Sequence, residues 1–250
     1  MCLRRQAGGD PSKWSDVELS DEARAVEAGI DVLLAVGSPL RLLVADYLSD
    51  DDPGFTGRHF HTFGDQGAPG WELDDLAAPA LLDTPIGGYG LERILISERE
   101  RFNELLAAVP VHVTIWDDGH GAVTAALDHA TDLYSALLSI RGVGHTRAHK
   151  LIARKRPRLH PVYDSVVAAW FLGSNGLRYP LAELVAAGCS PRKRIRAKFD
   201  PARVTDLDEL QLLDIAVWMC GSRSPAAGQV RNSRGVTALP PDRLPKRRRR

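Results

Sequence analysis

The amino-acid sequence predicts an all-α domain over residues 20–221 of a 250-residue chain. Apolar residues recur at intervals of three and four in most segments, which is the period of an amphipathic helix. Glycine and proline separate these segments, as is usual at helix ends. One alternating stretch, residues 111–115, predicts a short and marginal strand. The polar N-terminus (residues 1–19) and the Arg-rich tail (residues 222–250) are expected to be disordered.

The first two helices are indicated by end signals as well as by their period. Ser20 is a typical N-cap residue, and apolar residues follow it on one face, so a helix is predicted near 21–35. Gly37 is expected to end that helix. Pro39 begins the next one, because the N–H that proline lacks would be unpaired at the first helical position anyway.

The segment from residue 50 to residue 72 is rich in Asp, Gly and Pro, and it is predicted to be a loop. A helix is expected near 74–83. A long amphipathic helix is expected over 90–108, because apolar residues keep the helical period until Pro110 ends it. The aromatic residues expected to anchor the loop are Phe55, Phe60 and Trp71.

The C-terminal part of the domain contains two further predicted helices. One covers residues 181–187, and a stronger one covers residues 206–219. Thr205 and Asp208 have the spacing of a capping box at the start of the second. Between these helices, the basic cluster at residues 192–198 indicates either a solvated loop or a track of phosphate contacts.

The most informative stretch joins two helices through Gly142-Val143-Gly144. Glycine at both outer positions allows a sharp turn and leaves no side chain between the N–H groups and a ligand. The middle valine can pack inward and fix the turn to the core. Free N–H groups and the helix dipole at the start of the second helix favour a phosphate. The apolar residues that define the two helices are Leu133, Leu137 and Ile140 in the first and Ala148, Leu151 and Ile152 in the second.

This pattern over residues 133–156 resembles the helix-hairpin-helix motif, which binds nucleic-acid backbone without reading its sequence. The resemblance implies a DNA partner bound through backbone phosphates. The same residues also fit a turn between two core helices whose charged face is merely solvated, and this alternative stays open. The residues expected to contact DNA are Gly142, Val143, Gly144, His145, Thr146, Arg147, Lys150, Arg154 and Lys155.

The next segment, residues 160–167, is similar to the segment after the hairpin in the DNA glycosylase superfamily built on this motif. There an Asp at the start of the following helix is the catalytic carboxylate, and Asp164 occupies that position here. Asp164 follows Thr146 by 18 residues, the interval of the endonuclease branch, in which a nucleophilic lysine stands at the Thr146 position. The resemblance implies a DNA-glycosylase-like core and a monofunctional enzyme with Asp164 as catalytic residue. Asp164 also fits a simple N-cap.

The chain as a whole resembles an uncharacterised bacterial family, a domain of unknown function, over roughly residues 40–220. This likeness supports a single domain and implies no activity. The segments that carry it are residues 55–60, 74–76, 155–164 and 213–219.

Several classes of protein are disfavoured by composition. The net charge is zero, which argues against a wholly basic surface. No stretch approaches roughly 18 consecutive apolar residues, and the N-terminus lacks the apolar core of a secretion signal, so a cytoplasmic protein without a membrane partner is predicted. The three cysteines form no CxxC pair, the superfamily's iron–sulfur ligands are absent, and the eight histidines form no HExxH pattern. We therefore expect neither a cofactor nor a metal site.

These observations leave three functions open. The first is a DNA-binding protein of the helix-hairpin-helix type that acts as a monofunctional glycosylase on a damaged base. The second is a non-catalytic DNA-binding or regulatory module on the same scaffold. The third is a helical protein-interaction domain with no nucleic-acid role.

Overall fold

A computed structural model describes residues 19–50, 55–117, 120–171, 176–199 and 207–237. This part of the chain consists of helices and turns and contains no β-strand, which confirms the all-α prediction. Short 3₁₀ helices at Thr56–His59 and Ala78–Leu82 and a π-helical segment at Arg93–Ser97 lie between α-helices. The α-helices, numbered in chain order, are α1 (Asp21–Ala35), α2 (Ser38–Leu48), α3 (Leu73–Ala77), α4 (Gly88–Glu92), α5 (Arg99–Ala108), α6 (His120–Leu138), α7 (His145–Lys155), α8 (Ser165–Trp170), α9 (Arg178–Ala186), α10 (Pro191–Lys198), α11 (Glu209–Gly221) and α12 (Pro225–Ser233).

The strand predicted at residues 111–115 is wrong. This segment forms turns, and Ile115 N donates to the carbonyl oxygen of Arg158 at 3.0 Å. Asp117 closes the turn, since its Oδ2 accepts from Thr114 N at 2.8 Å. Ile115 is fully buried, so the apolar pattern here records packing against the core and not pairing with another strand.

The first two helices form as the sequence predicts. Ser20 Oγ accepts a hydrogen bond from Ala23 N at 3.1 Å and caps α1, and Pro39 lies in the first turn of α2. Gly37 between them has φ +79°, a conformation that favours glycine. The axes of α1 and α2 are bent by 89° at this break, and the pair has the length and composition of a broken membrane span. No single helix in the described ranges is long and apolar enough to cross a membrane.

The helix predicted over 90–108 is divided in the structure. α4 runs into the π-helical segment, and Glu98 (φ −123°, ψ 25°) then separates that segment from α5. The Glu98 carboxylate forms ion pairs with Arg93 and Arg101. No proline or glycine stands at this break, and the apolar residues keep the helical period across it. The sequence therefore gives no sign that the helix is interrupted here.

α11 lies at the centre of the domain. Its side chains are almost all buried, including Leu210 and Leu213, and it packs against α2, α8, α10 and α12. Asp208 is its N-cap and shares a reciprocal capping box with Gln211. The predicted box placed Thr205 as the cap, but Thr205 lies outside the described residues and Asp208 itself has the capping role.

The C-terminal tail is not wholly irregular, contrary to the prediction. Residues 225–233 form α12, which packs against α2 and α11. Arg231 is buried, and its guanidinium donates to two carbonyl oxygens at the end of α11, at 2.6 and 2.8 Å. An arginine within a polar, Gly-containing stretch gives no local sign of such a contact. The predictions for residues 1–18 and 238–250 fall outside the described residues.

Candidate nucleic-acid interface and cavity

The connection between α6 and α7 is a tight turn anchored in the core. Gly142 has φ +89°, which other residues rarely adopt. Val143 is buried, and its N–H donates to the carbonyl oxygen of Ile140 at 3.0 Å. The sharp turn and the inward-facing valine that the sequence indicates are therefore present in the structure.

The N-terminus of α7 faces solvent. Gly144 is its N-cap, and no side chain among the described residues caps this helix. Gly142 and Gly144 are exposed, and a Cβ atom built on either glycine would meet nothing within 4 Å. The N–H groups of the first turn can therefore reach an anion from outside the domain.

Arginine and aromatic side chains surround this turn. Arg147 is half-buried and donates to the carbonyl oxygens of Pro85 and Gly142 at 2.9 and 3.1 Å, which fixes the turn to the neighbouring loop. Arg141 lies over the ring of Tyr89, with its guanidinium carbon 5.0 Å from the ring centroid. Arg141 and Tyr89 are exposed, so the positive charge of Arg141 is available beside the free N–H groups.

Not all the residues predicted to contact DNA lie at this turn. His145 is exposed, and its Nδ1 lies 2.6 Å from Tyr134 Oη. Thr146 is half-buried and carries no amine. The predicted residues that the structure places at or near the surface of the turn are Gly142, Gly144, His145, Thr146 and Arg147.

The predicted cationic face of α7 is wrong in one respect, because three of its basic residues are buried. These residues are Lys150, Arg154 and Lys155. Their exposed fractions are only 4%, 0% and 3%. Each donates to carbonyl oxygens of a segment that lies 68 to 94 positions earlier in the chain, so no local sequence pattern reveals the contact. The accepting carbonyl groups are Leu82 for Lys150, Phe60 and Phe63 for Arg154, and Ala68 for Lys155.

Asp75 of α3 balances part of this buried positive charge. It is fully buried, and its Oδ2 lies 2.9 Å from Lys155 Nζ. Its Oδ1 lies 3.5 Å from Arg154 Nε, close enough for an ion pair although not a hydrogen bond. Burial lowers the pKa of Arg154, and the carboxylate of Asp75 opposes that shift. One carboxylate thus stabilises two cations in the interior.

Asp164 lies at the start of α8 and borders a cavity of about 170 Å³. Its Oδ1 accepts hydrogen bonds from Val166 N and Val167 N at 2.8 and 3.0 Å, so Asp164 is an N-cap, as its position in the sequence indicates. The side chain is half-buried. Both capping bonds are made to Oδ1 and Asp164 lines the cavity, so Oδ2 is the carboxylate oxygen that a ligand in the cavity could contact.

Aromatic side chains from distant segments meet at this cavity. Tyr47, Phe55 and Trp218 are in mutual contact, with ring centroids 5.4 to 5.9 Å apart. Trp218 therefore lines a cavity. A cavity lined both by aromatic rings and by polar groups suits a planar heterocyclic ligand. The polar side chains on its wall include Asp164, Asp214, His61 and Lys150.

Asp214 of α11 is a deeply buried carboxyl group on the cavity wall. Its Oδ2 accepts a hydrogen bond from Val162 N at 2.8 Å, and its Oδ1 has no partner among the described residues. Burial raises the pKa of Asp214 well above the usual range, against the hydrogen bond from Val162, and the charge of Asp164 raises it further. Burial also raises the pKa of Tyr47, and the charges of Asp164 and Asp214 add to that shift.

His61 and Lys150 line the cavity, and burial removes most of the water around both side chains. The His61 Nδ1 atom is buried without a partner in the described structure. Burial, helped by the charge of Arg154, lowers the pKa of His61 to about 3. Burial also lowers the pKa of Lys150, against the opposing charges of Asp164 and Asp83. A neutral imidazole and a desolvated amine thus contribute polar groups to a wall that combines polar and apolar side chains.

A second pair of histidines lies behind the turn, between α7 and the loop that follows it. His149 Nδ1 and His160 Nε2 are 2.8 Å apart, so one nitrogen donates and the other accepts. Burial lowers the pKa of His149 to about 3 and that of His160 well below its usual value, and the charge of Arg178 contributes to both shifts. These two histidines are therefore neutral and internal.

Acid is expected to destabilise the fold because of these histidines. Their folded-state pKa values are lowered, so their contribution is complete above the unfolded value of about 6.5 and is lost as pH falls toward about 3. Between pH 6.5 and 5 the free energy of unfolding should fall, approaching about 1.4 kcal/mol per pH unit for each buried histidine. Urea unfolding at several pH values measures this. His149→Gln should flatten the slope, while His59→Gln, at an exposed histidine, should leave it unchanged; an equal slope in all three proteins would contradict the assignment.

The basic cluster at residues 192–198 lies in α10 and is engaged within the domain. Arg192 and Arg196 both pair with Glu209 of α11, at 3.0 and 3.1 Å. Arg194 pairs with acidic side chains of α1. These arginines tie three helices together, so they do not form the free phosphate track that the sequence leaves open.

Sequence analysis did not identify most of the cavity wall. Tyr47, His61, Asp214 and Trp218 come from four separate parts of the chain, and each also fits an ordinary core or loop position. A local signal exists only at Asp214, a charged residue among apolar ones within the helix predicted over residues 206–219. A carboxyl group on a buried helical face is unusual enough to indicate a site.

Fold and site together define an all-helical protein in which one helix, α7, connects an uncapped, solvent-facing N-terminus to a cavity that bears carboxyl groups. The chain belongs to the family of unknown function DUF6308, whose sequence model matches residues 41–221. This match confirms the resemblance to an uncharacterised family. No curated protein and no solved structure matches the chain significantly. In the described ranges no three potential ligand side chains are grouped as a metal site would require.

Proposed function

We propose that this protein binds DNA through the α6–α7 turn, acting as a helix-hairpin-helix, and removes a damaged base in the adjoining cavity as a monofunctional DNA glycosylase. The course of α7 is the observation that carries this proposal. Its N-terminus presents free N–H groups at Gly144, and Lys150, in its second turn, lines the cavity that Asp164 borders. A nucleotide chain held at the turn would lie about 9 Å along the helix axis from the level of the cavity.

Binding at the turn would be directed at phosphate. The N–H groups near Gly142 and Gly144 are accessible, and the helix dipole adds partial positive charge at the same place. Arg141 and Arg147 supply positive charge beside them. None of these groups reads a base edge, so we expect binding that is independent of sequence and that weakens as salt rises.

The cavity supports a reaction on an extruded base. A base within a duplex is out of reach and must rotate out of the stack before chemistry. Tyr47 and Trp218 line the cavity and would contact such a base through their rings. Asp164 Oδ2 would stabilise the oxocarbenium-like sugar as the glycosidic bond breaks, or activate the water that adds to C1′. Thr146 has no amine with which to form an imine, so strand cleavage from that position is not expected.

A non-catalytic DNA-binding module is the second candidate, and the cap favours it. Asp164 already satisfies two N–H groups of α8, which gives it a structural role without chemistry. Base release separates the two functions. Duplexes that carry hypoxanthine, uracil or 7-methylguanine are incubated with the protein and then treated with alkali, which cuts at abasic sites. Cutting beyond that of the same duplexes treated with alkali alone supports the glycosylase, and binding without this additional cutting supports the module.

Gly144→Asp is expected to weaken binding to a labelled duplex by about 10- to 100-fold at low salt. The new carboxylate would occupy the N–H groups meant for phosphate and repel the backbone. The fold should persist, because Asp is a favourable N-cap and a Cβ atom at this position meets open space. Anisotropy titrations over a series of salt concentrations measure the affinity and its salt dependence.

The matched control is Gly121→Asp, which adds the same charge in open space on α6. It lies near the other end of that helix, about 26 Å from the turn, and it should bind as the unmodified protein does. Two results would rule out the turn as the site of DNA contact: an affinity that does not change with salt concentration, or an equal loss of affinity in both variants.

A further inference from the structure

Two carboxyl groups border the same cavity but differ in their hydrogen bonds. Asp164, half-buried, accepts from two backbone N–H groups through Oδ1 and sits at a helix N-terminus, where negative charge is favoured. Asp214 is 8% exposed, accepts a single bond from Val162 N through Oδ2, and has no partner at Oδ1 among the described residues. An unpaired buried polar atom on a cavity wall is costly unless a ligand satisfies it.

The protonation state of Asp214 follows from this environment. Burial, together with the charge of Asp164, raises the pKa of Asp214 and favours its neutral form. Because Oδ2 accepts from Val162 N, the proton belongs on Oδ1, the unpaired atom. A buried carboxyl group kept neutral beside a second carboxyl group on one cavity wall is a common arrangement of a catalytic acid and its partner. The other titratable groups on the wall of the same cavity are Tyr47 of α2, Lys150 of α7, His61, Asp83 and Asp164.

We propose that Asp214 is the general acid of the base-release reaction, donating the proton on Oδ1 to the departing base. This inference rests on the proposed glycosylase function and narrows its substrate. The base must present a carbonyl oxygen or a ring nitrogen toward α11, and it must be neutral, since a base that already carries positive charge needs no proton to leave. Uncharged damaged purines and pyrimidines such as hypoxanthine and uracil are the class this describes.

The proton and electron balance is complete with water alone. The bond from C1′ to the base nitrogen breaks, and its electron pair stays with the base while Asp214 protonates the acceptor atom of that base. The oxocarbenium-like sugar is stabilised by the charge on Asp164. Water adds its oxygen to C1′, and the proton it loses restores the acid form of Asp214. The products are the free base and an abasic sugar, with no oxidant or cofactor consumed.

Asp214→Asn tests the role with little change in shape. Its amide oxygen can still accept from Val162 N, and its NH₂ group can donate a hydrogen bond but cannot transfer a proton. Single-turnover release of hypoxanthine should fall on the order of 10²-fold, while release of 7-methylguanine, which is cationic, should change little. Asp132→Asn, at an exposed aspartate of α6, is the control for the chemical change and should match the unmodified protein on both bases.

The pH profile gives a second measurement that does not depend on the variant folding. Release of hypoxanthine by the unmodified protein should be fastest where Asp214 is protonated and should fall as pH rises, whereas release of 7-methylguanine should lack this limb. Two results would overturn the role of Asp214 and leave the glycosylase function intact. One is an Asp214→Asn variant that releases hypoxanthine as fast as the unmodified protein does. The other is a rate of hypoxanthine release that does not fall as pH rises. Release of 7-methylguanine alone also overturns the role of Asp214. If the unmodified protein releases neither base, nor uracil, the glycosylase function itself fails and this role fails with it.

Discussion

Asp164→Asn is expected to reduce single-turnover base release by about 10²- to 10³-fold, the size typical of removing one catalytic electrostatic group. The charge that would stabilise the oxocarbenium-like sugar is lost, and an amide cannot activate water. The fold and the affinity for DNA should stay near those of the unmodified protein, because asparagine caps a helix about as well as aspartate. The cap on Val166 N and Val167 N can be kept through the side-chain oxygen.

The measurement is alkali-revealed strand cutting on the most rapidly processed damaged duplex, with anisotropy binding and thermal unfolding on the same samples. Asp208→Asn is the matched control, since Asp208 also caps a helix, α11, but does not line the cavity. It should retain base release. Full activity in Asp164→Asn would reduce Asp164 to a cap, and a loss of DNA affinity in parallel with activity would point to a disturbed fold.

Local patterns were sufficient for much of the helical framework. The caps at Ser20 and Asp164 depend on contacts within three residues, so the sequence contains the whole interaction. The turn at Gly142 also follows from local chemistry, because only glycine takes its positive φ without strain. The interruption at Glu98 and the helix at residues 225–233 could not be predicted, since packing partners elsewhere decide them.

The site depends on long-range contacts, and sequence analysis predicted it less well. Arg154 reaches Phe60, 94 positions away, and a helical face that is cationic by sequence is therefore internal. Asp214 and Asp164 both line one cavity although 50 positions separate them. Only Asp164 was identified, because a helix start and a family resemblance coincide there. The pairing of the two carboxyl groups is a property of the fold.

Asp75→Asn is expected to lower the free energy of unfolding by about 3–5 kcal/mol, the usual cost of removing one partner from a buried ion pair. Asp75 is fully buried and faces both Lys155 Nζ at 2.9 Å and Arg154 Nε at 3.5 Å. Without its charge, two cations remain in the interior, held only by carbonyl oxygens. α7 would then lose its attachment to α3, so DNA binding at the turn should weaken along with stability.

Urea unfolding of the full chain measures this loss. Asp74→Asn is the control, because Asp74 neighbours Asp75, is half-buried and forms no salt bridge within the described structure; its cost should be about 0.5 kcal/mol or less. A double-mutant cycle with Lys155→Met tests the cause. Once Asp75 is neutral, removing the lysine charge should cost far less than it does alone, a coupling of about 1–3 kcal/mol. The losses of unfolding free energy in Asp75→Asn and in Lys155→Met could instead simply add in the double variant. The cluster would then be held by its contacts with carbonyl oxygens, and the charge of Asp75 would not be what fixes α7 to the domain.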